Sequence, residues 1–207
     1  MLYNGGICFL TAWEAACGSP LEKQAVAALE AGIKWVQLRM KGASRRRVWE
    51  AALALRGPVL SAGALLSIND YPDIALAARA GGVHLGQEDF PPREARALFG
   101  KNKKLIGVST HSLEEAKAAE ADGADYIGFG PIFETRTKDA GPAKGTDSLE
   151  KICCAVSIPV VAIGGITPEN IGTAIRAGAA AAAVSGAIAS GDAGENVRRF
   201  LAALEAV

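Results

Sequence analysis

Short apolar runs rich in β-branched and aromatic residues alternate along the chain with longer stretches in which Ala and Leu are mixed with charge. The runs are ICFLT at 7–11, KWVQL at 34–38, LLSIN at 65–69, GVHL at 82–85, KLIGVS at 104–109, DYIGFG at 125–130, VVAIG at 160–164 and AAAVS at 181–185. Runs this short, closed by polar residues or glycine, predict buried strands. The intervening stretches predict helices. Ser112 precedes LEEAKAAEADGA and, with Glu115 three residues on, reads as a capping box. Thr167 precedes PENIGTAIRAGA and reads as its cap, with Pro168 at the first helical position. Gly32, Gly81, Gly123 and Gly178 each stand just before a strand, where glycine terminates the preceding helix.

About eight strand–helix units imply a parallel sheet. Eight units close into a barrel, and 207 residues is at the short end of the range for one. The expected fold is therefore α/β, a (β/α)8 TIM barrel, with residues 1–207 as one domain. An open doubly wound sheet is the competitor. It usually carries GxGxxG after the first strand, whereas this strand runs into TAWEAACGSP. The AGAAAAAVSGA tract scans as a helix end followed by a tight final strand, not as low complexity.

Charge narrows the partners. Lys+Arg and Asp+Glu are equal at 22 each, which argues against a nucleic-acid binder or a polybasic membrane protein. Cys8, Cys17, Cys153 and Cys154 match no zinc spacing, and adjacent thiols on a helix point apart. Free thiols in a reducing cytoplasm are expected. MLYNGGICFL lacks a basic segment followed by a long apolar stretch, so no signal peptide is expected, and no apolar run is long enough to span a bilayer.

In barrels of this kind the chemistry sits at the C-terminal strand ends. The second strand ends in QLRMK, where Gln37, Arg39 and Lys41 are two apart and share one face of an extended strand. That puts an amide and two cations toward the mouth, although a strand end meeting solvent would read the same way. The Arg45-Arg46-Arg47 run opens the next helix and reads as a solvated face. The third and fourth strand ends supply Asp70 and Asp89. Neighbouring strands lie about 5 Å apart, so both carboxylates reach one cation. A small set of oxygen ligands suits Mg²⁺, which keeps waters and shares a phosphate oxygen. Both acids also precede proline-led helices, so helix capping is an alternative. Arg39 and Lys41 beside them favour a pyrophosphate site.

The fifth strand ends in Ser109-Thr110-His111, which offers hydroxyl donors. The sixth runs into GPIFETRTKDAGPAKG, where Thr135, Thr137 and Lys138 are candidate anion ligands and the glycines would let the loop close; an ordinary loop is the alternative. The seventh, AIGGITPEN, offers backbone N–H groups at two glycines, and the eighth, VSGAI, adds Ser185. Loops after strands seven and eight commonly cradle phosphate. His84 and His111 are either hydrogen-bonded structural residues or catalytic groups. No Ser/His/Asp or Cys/His set stands at informative spacing, so nucleophilic catalysis is not expected. One anion site with cations and a metal, and a second made of amides and a serine, suggest a two-substrate transfer that releases pyrophosphate.

QLRMK, INDYPDIA, GVHLGQED, GVSTHS, GFGPIFETRTK, AIGGITPENI and AVSGAI, in this order, resemble the thiamine-phosphate synthase family over nearly the whole chain. The resemblance implies a transferase that joins a hydroxymethylpyrimidine diphosphate to a thiazole phosphate, with a dissociative step and Mg²⁺ as cofactor. It implies that Gln37, Leu38, Arg39, Met40, Lys41 and Asn69 contact the pyrimidine diphosphate, with Ser109 and Lys138 also facing it. Asp70 and Asp89 would hold the metal. Thr135, Arg136 and Thr137 belong to the same substrate-binding set, the two threonines on the thiazole phosphate. Gly165, Val184 and Ser185 complete that cradle. The chain departs from the family at Ala12, where Asp is usual, and at Glu134, where proline is common. The segment from Lys41 to Asn69 is slightly short. Related thiazole tautomerases share the FET tripeptide but typically have histidine where this chain has Pro131, and lack the second acid. A catalytically silent paralogue should show a broken metal or diphosphate set, and this chain keeps Asp70, Asp89, Arg39, Lys41 and Lys138.

Overall fold

The computed structural model describes residues 6–12, 20–135 and 141–207. Eight parallel strands close on themselves: β1 (Gly6–Leu10), β2 (Trp35–Leu38), β3 (Leu65–Asn69), β4 (Gly82–Leu85), β5 (Leu105–Thr110), β6 (Tyr126–Phe129), β7 (Val160–Ile163) and β8 (Ala181–Val184). Each pairs with its sequence neighbour, and β8 returns to β1 with Cys8 opposite Ala183. Helices α1 (Leu21–Glu30), α2 (Arg45–Ser61), α3 (Pro72–Ala77), α4 (Pro92–Phe99), α5 (Leu113–Ala121), α6 (Gly145–Ala155) and α7 (Ile171–Arg176) fill the crossovers, and α8 (Gly186–Ala189) and α9 (Ala193–Glu205) follow β8. The barrel is the one expected, and it is a single domain.

Strand periodicity sorts the apolar residues into two layers. Phe9, Val36, Leu38, Ile68, Val83, Leu85, Ile106, Ile127, Ala162 and Val184 face outward and bury against the helices. Cys8, Leu10, Trp35, Tyr126, Val161, Ala181 and Ala183 form a separate interior cluster. The interior is filled by pairing large residues with small ones. Trp35 meets Tyr126 edge-on, with ring centroids 5.0 Å apart. Tyr126 in turn lies over Gly107, where a Cβ would fall 2.0 Å from the tyrosine Cζ.

The helix ends depart from the sequence expectation in three places. Gly32, Gly123 and Gly178 have the positive φ of a helix stop, but Gly81 does not; after α3 that conformation is taken by Arg79 at φ 55°. Gly81 instead lies against Leu65, whose Cδ1 would be 2.2 Å from an added Cβ and would have to turn aside. α7 starts at Ile171 with Asn170 as N-cap, so Thr167 does not cap it and Pro168 is outside it. The Asn170 side chain accepts from Thr167 N–H at 2.8 Å and donates to Gly165 C=O at 2.8 Å, which holds 165–170 as a turn. At α5, Ser112 accepts from Glu115 N–H at 3.1 Å as expected. The return bond from Glu115 goes to His111 N–H at 2.7 Å, one residue earlier than in a capping box.

Candidate active site

The inward face of the strands turns polar at the C-terminal end of the barrel. Gln37, Ser67, Asn69, His84 and Ser109 follow in the alternation that places Trp35 and Leu65 inside. Two residues past Gln37 the same face reaches Arg39. Its backbone is gripped by buried Thr11, whose hydroxyl accepts from Arg39 N–H at 3.0 Å and donates to Arg39 C=O at 3.2 Å. Leu38 and Met40 point the other way into the helix-facing core. Any part they take in binding is therefore through the backbone. Val184 is likewise buried against the helices. Lys41 is exposed just beyond.

Asp70 and Asp89 come together. Asp70 has φ 69°, a left-handed conformation that Asp and Asn tolerate better than most residues. Its N–H still donates to His84 C=O at 2.8 Å, extending the β3–β4 pairing while the chain turns. The Asp70 carboxyl accepts from Asn69 Nδ2 and lies near enough to Asp89 for the two carboxyls to interact. Asp89 folds back to accept from Gly86 N–H at 2.6 Å. Neither acid is a helix cap: Tyr71 and Pro91 occupy the N-cap positions of α3 and α4, without side-chain cap bonds. Burial, then the neighbouring Asp89 carboxyl, raise the Asp70 pKa to about 6, against the opposing pull of Asn69 and Arg39. Two carboxyls forced together are relieved by a shared proton or a shared cation. The donor set is hard oxygen, and among the described residues no third His, Cys, Asp or Glu joins it. A cation held here would keep positions for water and substrate oxygens, the habit of Mg²⁺.

His84 is a buried, hydrogen-bonded residue. Its Nδ1 lies 3.0 Å from Tyr126 Oη and its Nε2 lies 2.9 Å from Ser109 Oγ. Burial lowers its pKa to about 4; the Asp89 charge opposes this and Arg39 adds to it, so the ring is neutral. A histidine this weakly basic, backed by a tyrosine whose own pKa burial raises, does not activate Ser109 as a nucleophile. His111 bridges strand ends through Nδ1, 3.0 Å from Gly130 C=O. Gln87 donates to Ser109 C=O at 2.6 Å, pinning the other side of that residue.

The opposite rim is built of backbone. Gly164 and Gly165 have φ 93° and 66°. The chain after β6 crosses them, with Ile132 N–H on Ile163 C=O at 2.9 Å and Phe133 N–H on Gly164 C=O at 3.0 Å. A Cβ on Gly165 would meet Glu134 C=O oxygen at 2.4 Å. Ser185 is the N-cap residue of α8, its side chain making no cap bond. Thr135 stands in the β6 loop, and 136–140 after it, with Arg136, Thr137 and Lys138, lie outside the described residues, as does Cys17. Of the other thiols, Cys8, Cys153 and Cys154 are free. The Arg45–Arg47 run is taken up by ion pairs to Asp73, Glu50 and Glu22 on the outer surface.

Thr11, Gln87, Tyr126 and Asn170 had no individual signal in the sequence. Each acts through a contact made across strands or loops. For Thr11, the only hint was a polar residue closing the first apolar run.

A family profile described as thiamine monophosphate synthase (TMP-TENI) matches residues 7–188, from the first strand to α8. The chain belongs to the thiamine monophosphate synthase family. Membership makes it an enzyme of the transferase class, active in thiamine biosynthesis on small molecules. It is 49% identical over 182 residues to the thiamine-phosphate synthase of Chloroflexus aurantiacus, covering 87% of this chain and 83% of that one. It is 48% identical over 178 residues to that of Chlorobium luteolum, covering 86% and 84%. The thiamine phosphate pyrophosphorylase structure from Pyrococcus furiosus superposes with a TM-score of 0.90 at 35% identity, covering 100% of this chain and 98% of that one. Among the described residues, no helix is long and apolar enough to cross a membrane.

Proposed function

We propose that this protein condenses 4-amino-2-methyl-5-(diphosphooxymethyl)pyrimidine with a thiazole phosphate, giving thiamine phosphate and pyrophosphate. Residues 1–207 act as one catalytic domain, in the cytoplasm. The observation that carries the reading is the Asp70–Asp89 carboxyl pair with Arg39 beside it, at the same barrel mouth as the Gly165–Ser185 rim. Such a mouth holds a diphosphate with its cation on one side and a monophosphate on the other.

Asp70 and Asp89 would hold Mg²⁺, which when bound supplies electrostatic stabilisation of the leaving pyrophosphate. The chain's own residues do the rest. Arg39, fixed at its backbone by Thr11, places a permanent cation against the diphosphate. Gln37, Asn69 and Ser109 offer polar contacts to the pyrimidine substrate, with Lys41 and Lys138 adding charge. Thr135 and Thr137 and the backbone at Gly165 and Val184-Ser185 bind the thiazole substrate by its phosphate, aiming the ring nitrogen at the pyrimidine methylene, and Arg136 belongs to the same substrate-binding loop. The route is dissociative: the carbon–oxygen bond to pyrophosphate breaks first, leaving a pyrimidine methylene cation that the thiazole nitrogen captures. It needs charge stabilisation and alignment, not a protein nucleophile.

The test incubates the purified protein with both substrates, with Mg²⁺ or with EDTA, and follows both products. Thiamine phosphate and pyrophosphate formed only with Mg²⁺ is the expected result. No product from intact substrates and folded protein would refute the condensation and leave isomerisation of the thiazole phosphate, or silent binding, as the activity to seek. Turnover unaffected by EDTA would retain the reaction and overturn the role of the two acids.

A further inference from the structure

Among the described residues, the Ser109 hydroxyl has one hydrogen-bond partner, His84 Nε2 at 2.9 Å. A serine hydroxyl has a single proton to give. Whether Ser109 gives it to the substrate or to the imidazole depends on which His84 nitrogen is protonated, and that is set by what the other nitrogen meets. His84 Nδ1 meets Tyr126 Oη at 3.0 Å. Tyr126 is 1% exposed, with Trp35 edge-on at 5.0 Å and the Gly107 backbone against its ring. Its hydroxyl has no other hydrogen-bond partner among the described residues. A buried phenol proton needs an acceptor, and Nδ1 of a neutral imidazole is the one present.

We propose that Tyr126 and His84 are positioning residues that make Ser109 an obligate hydrogen-bond donor. Tyr126 Oη–H donates to His84 Nδ1, His84 Nε2–H donates to Ser109 Oγ, and the Ser109 proton is thereby directed into the mouth. This rests on the reading that Ser109 faces the diphosphate substrate. With the opposite tautomer, Ser109 would give its proton to Nε2 and turn lone pairs toward an anion. The fold protects the arrangement from both sides. Gly107 makes room for the Tyr126 ring, and Gly128 makes room for the imidazole, since its Cβ would lie 3.3 Å from His84 Cε1.

The chain has two histidines, so long-range ¹H–¹⁵N spectra of ¹⁵N-histidine-labelled protein resolve both rings, with a His111→Gln variant to assign them. At neutral pH His84 should be the Nε2–H tautomer; an Nδ1–H tautomer overturns the proposal. Kinetically, Tyr126→Phe removes one oxygen and leaves the ring. It should lower kcat about tenfold in the native background and have no further effect in a Ser109→Ala background. With Ser109→Ala impaired, equal losses in both backgrounds would mean that Tyr126 acts on the fold, which overturns the proposal alone. Unchanged turnover in Ser109→Ala overturns both the placement of Ser109 and the proposal that rests on it.

Discussion

Replacing Asp70 by Asn should stabilise the metal-free protein while abolishing its use of metal. Asn keeps the size of Asp and tolerates the φ of 69° that Ala would find strained. It removes the charge that Asp89 opposes. The Asp70 pKa rises from 3.8 to about 6, mainly through burial and Asp89. Two units correspond to roughly 3 kcal/mol at ~1.4 kcal/mol each. Asp70 is only half-buried, so solvent screening reduces this to about 1 kcal/mol. For a chain of this length that is a Tm rise of ~2–4 °C. The sign follows from proton uptake: a raised folded pKa means the native protein loses stability as pH rises from 3.8 through about 6. The gain in Asp70→Asn is therefore full at neutral pH, shrinks as pH falls through about 6, and is gone below 3.8. Thermal unfolding in EDTA across that pH range measures it. Mg²⁺ added at neutral pH should raise the Tm of the native protein and leave Asp70→Asn unmoved. A lower Tm in Asp70→Asn at neutral pH, or an offset independent of pH, would show that the two acids do not repel and refute the account of the pair.

Asp89→Ala should lower turnover about 100-fold while far-UV circular dichroism stays native; normal activity with added Mg²⁺ would remove Asp89 from the metal site. Gly165→Ala puts a Cβ 2.4 Å from the Glu134 carbonyl oxygen at φ 66°. The strain, on the order of 1–3 kcal/mol, should raise KM for the thiazole phosphate while KM for the pyrimidine diphosphate holds; the reverse pattern would place the cradle elsewhere. Thr11→Val keeps the shape but takes both hydroxyl bonds from the Arg39 backbone. A loss of about 1 kcal/mol should appear as a roughly fivefold rise in KM for the pyrimidine diphosphate, and unchanged KM would mean that Arg39 needs no such support.

The eight strands were legible because each is a short apolar run between glycine or polar stops, and their number and alternation with helices lead to a closed parallel barrel. The C-terminal polar residues were legible for the same reason: a strand end must be inside or outside by parity, and Gln37, Asn69 and Ser109 fall on the inward side. Asp70 and Asp89 were ambiguous between cap and metal ligand, because both roles favour the same residue in the same place. The folded chain removes the cap reading by giving the N-cap positions to Tyr71 and Pro91, and it brings the two carboxyls together, which leaves the metal role as the proposal. Leu38, Met40 and Val184 belong to motifs that line the mouth, yet strand parity sends their side chains outward.

Local physics thus determined which segments are strands, how many there are, and which chemistry stands at their ends, since periodicity and polarity are properties of neighbours in sequence. The tertiary structure decided what no local pattern encodes. Thr11 grips Arg39 from 28 residues away, Tyr126 reaches His84 from 42, and His84 reaches Ser109 from 25. Thr11 meets Arg39 and His84 meets Ser109 because β1 pairs with β2 and β4 with β5, and Tyr126 meets His84 because the curved sheet turns β4 and β6 into one interior, where burial leaves a polar group few partners to choose among.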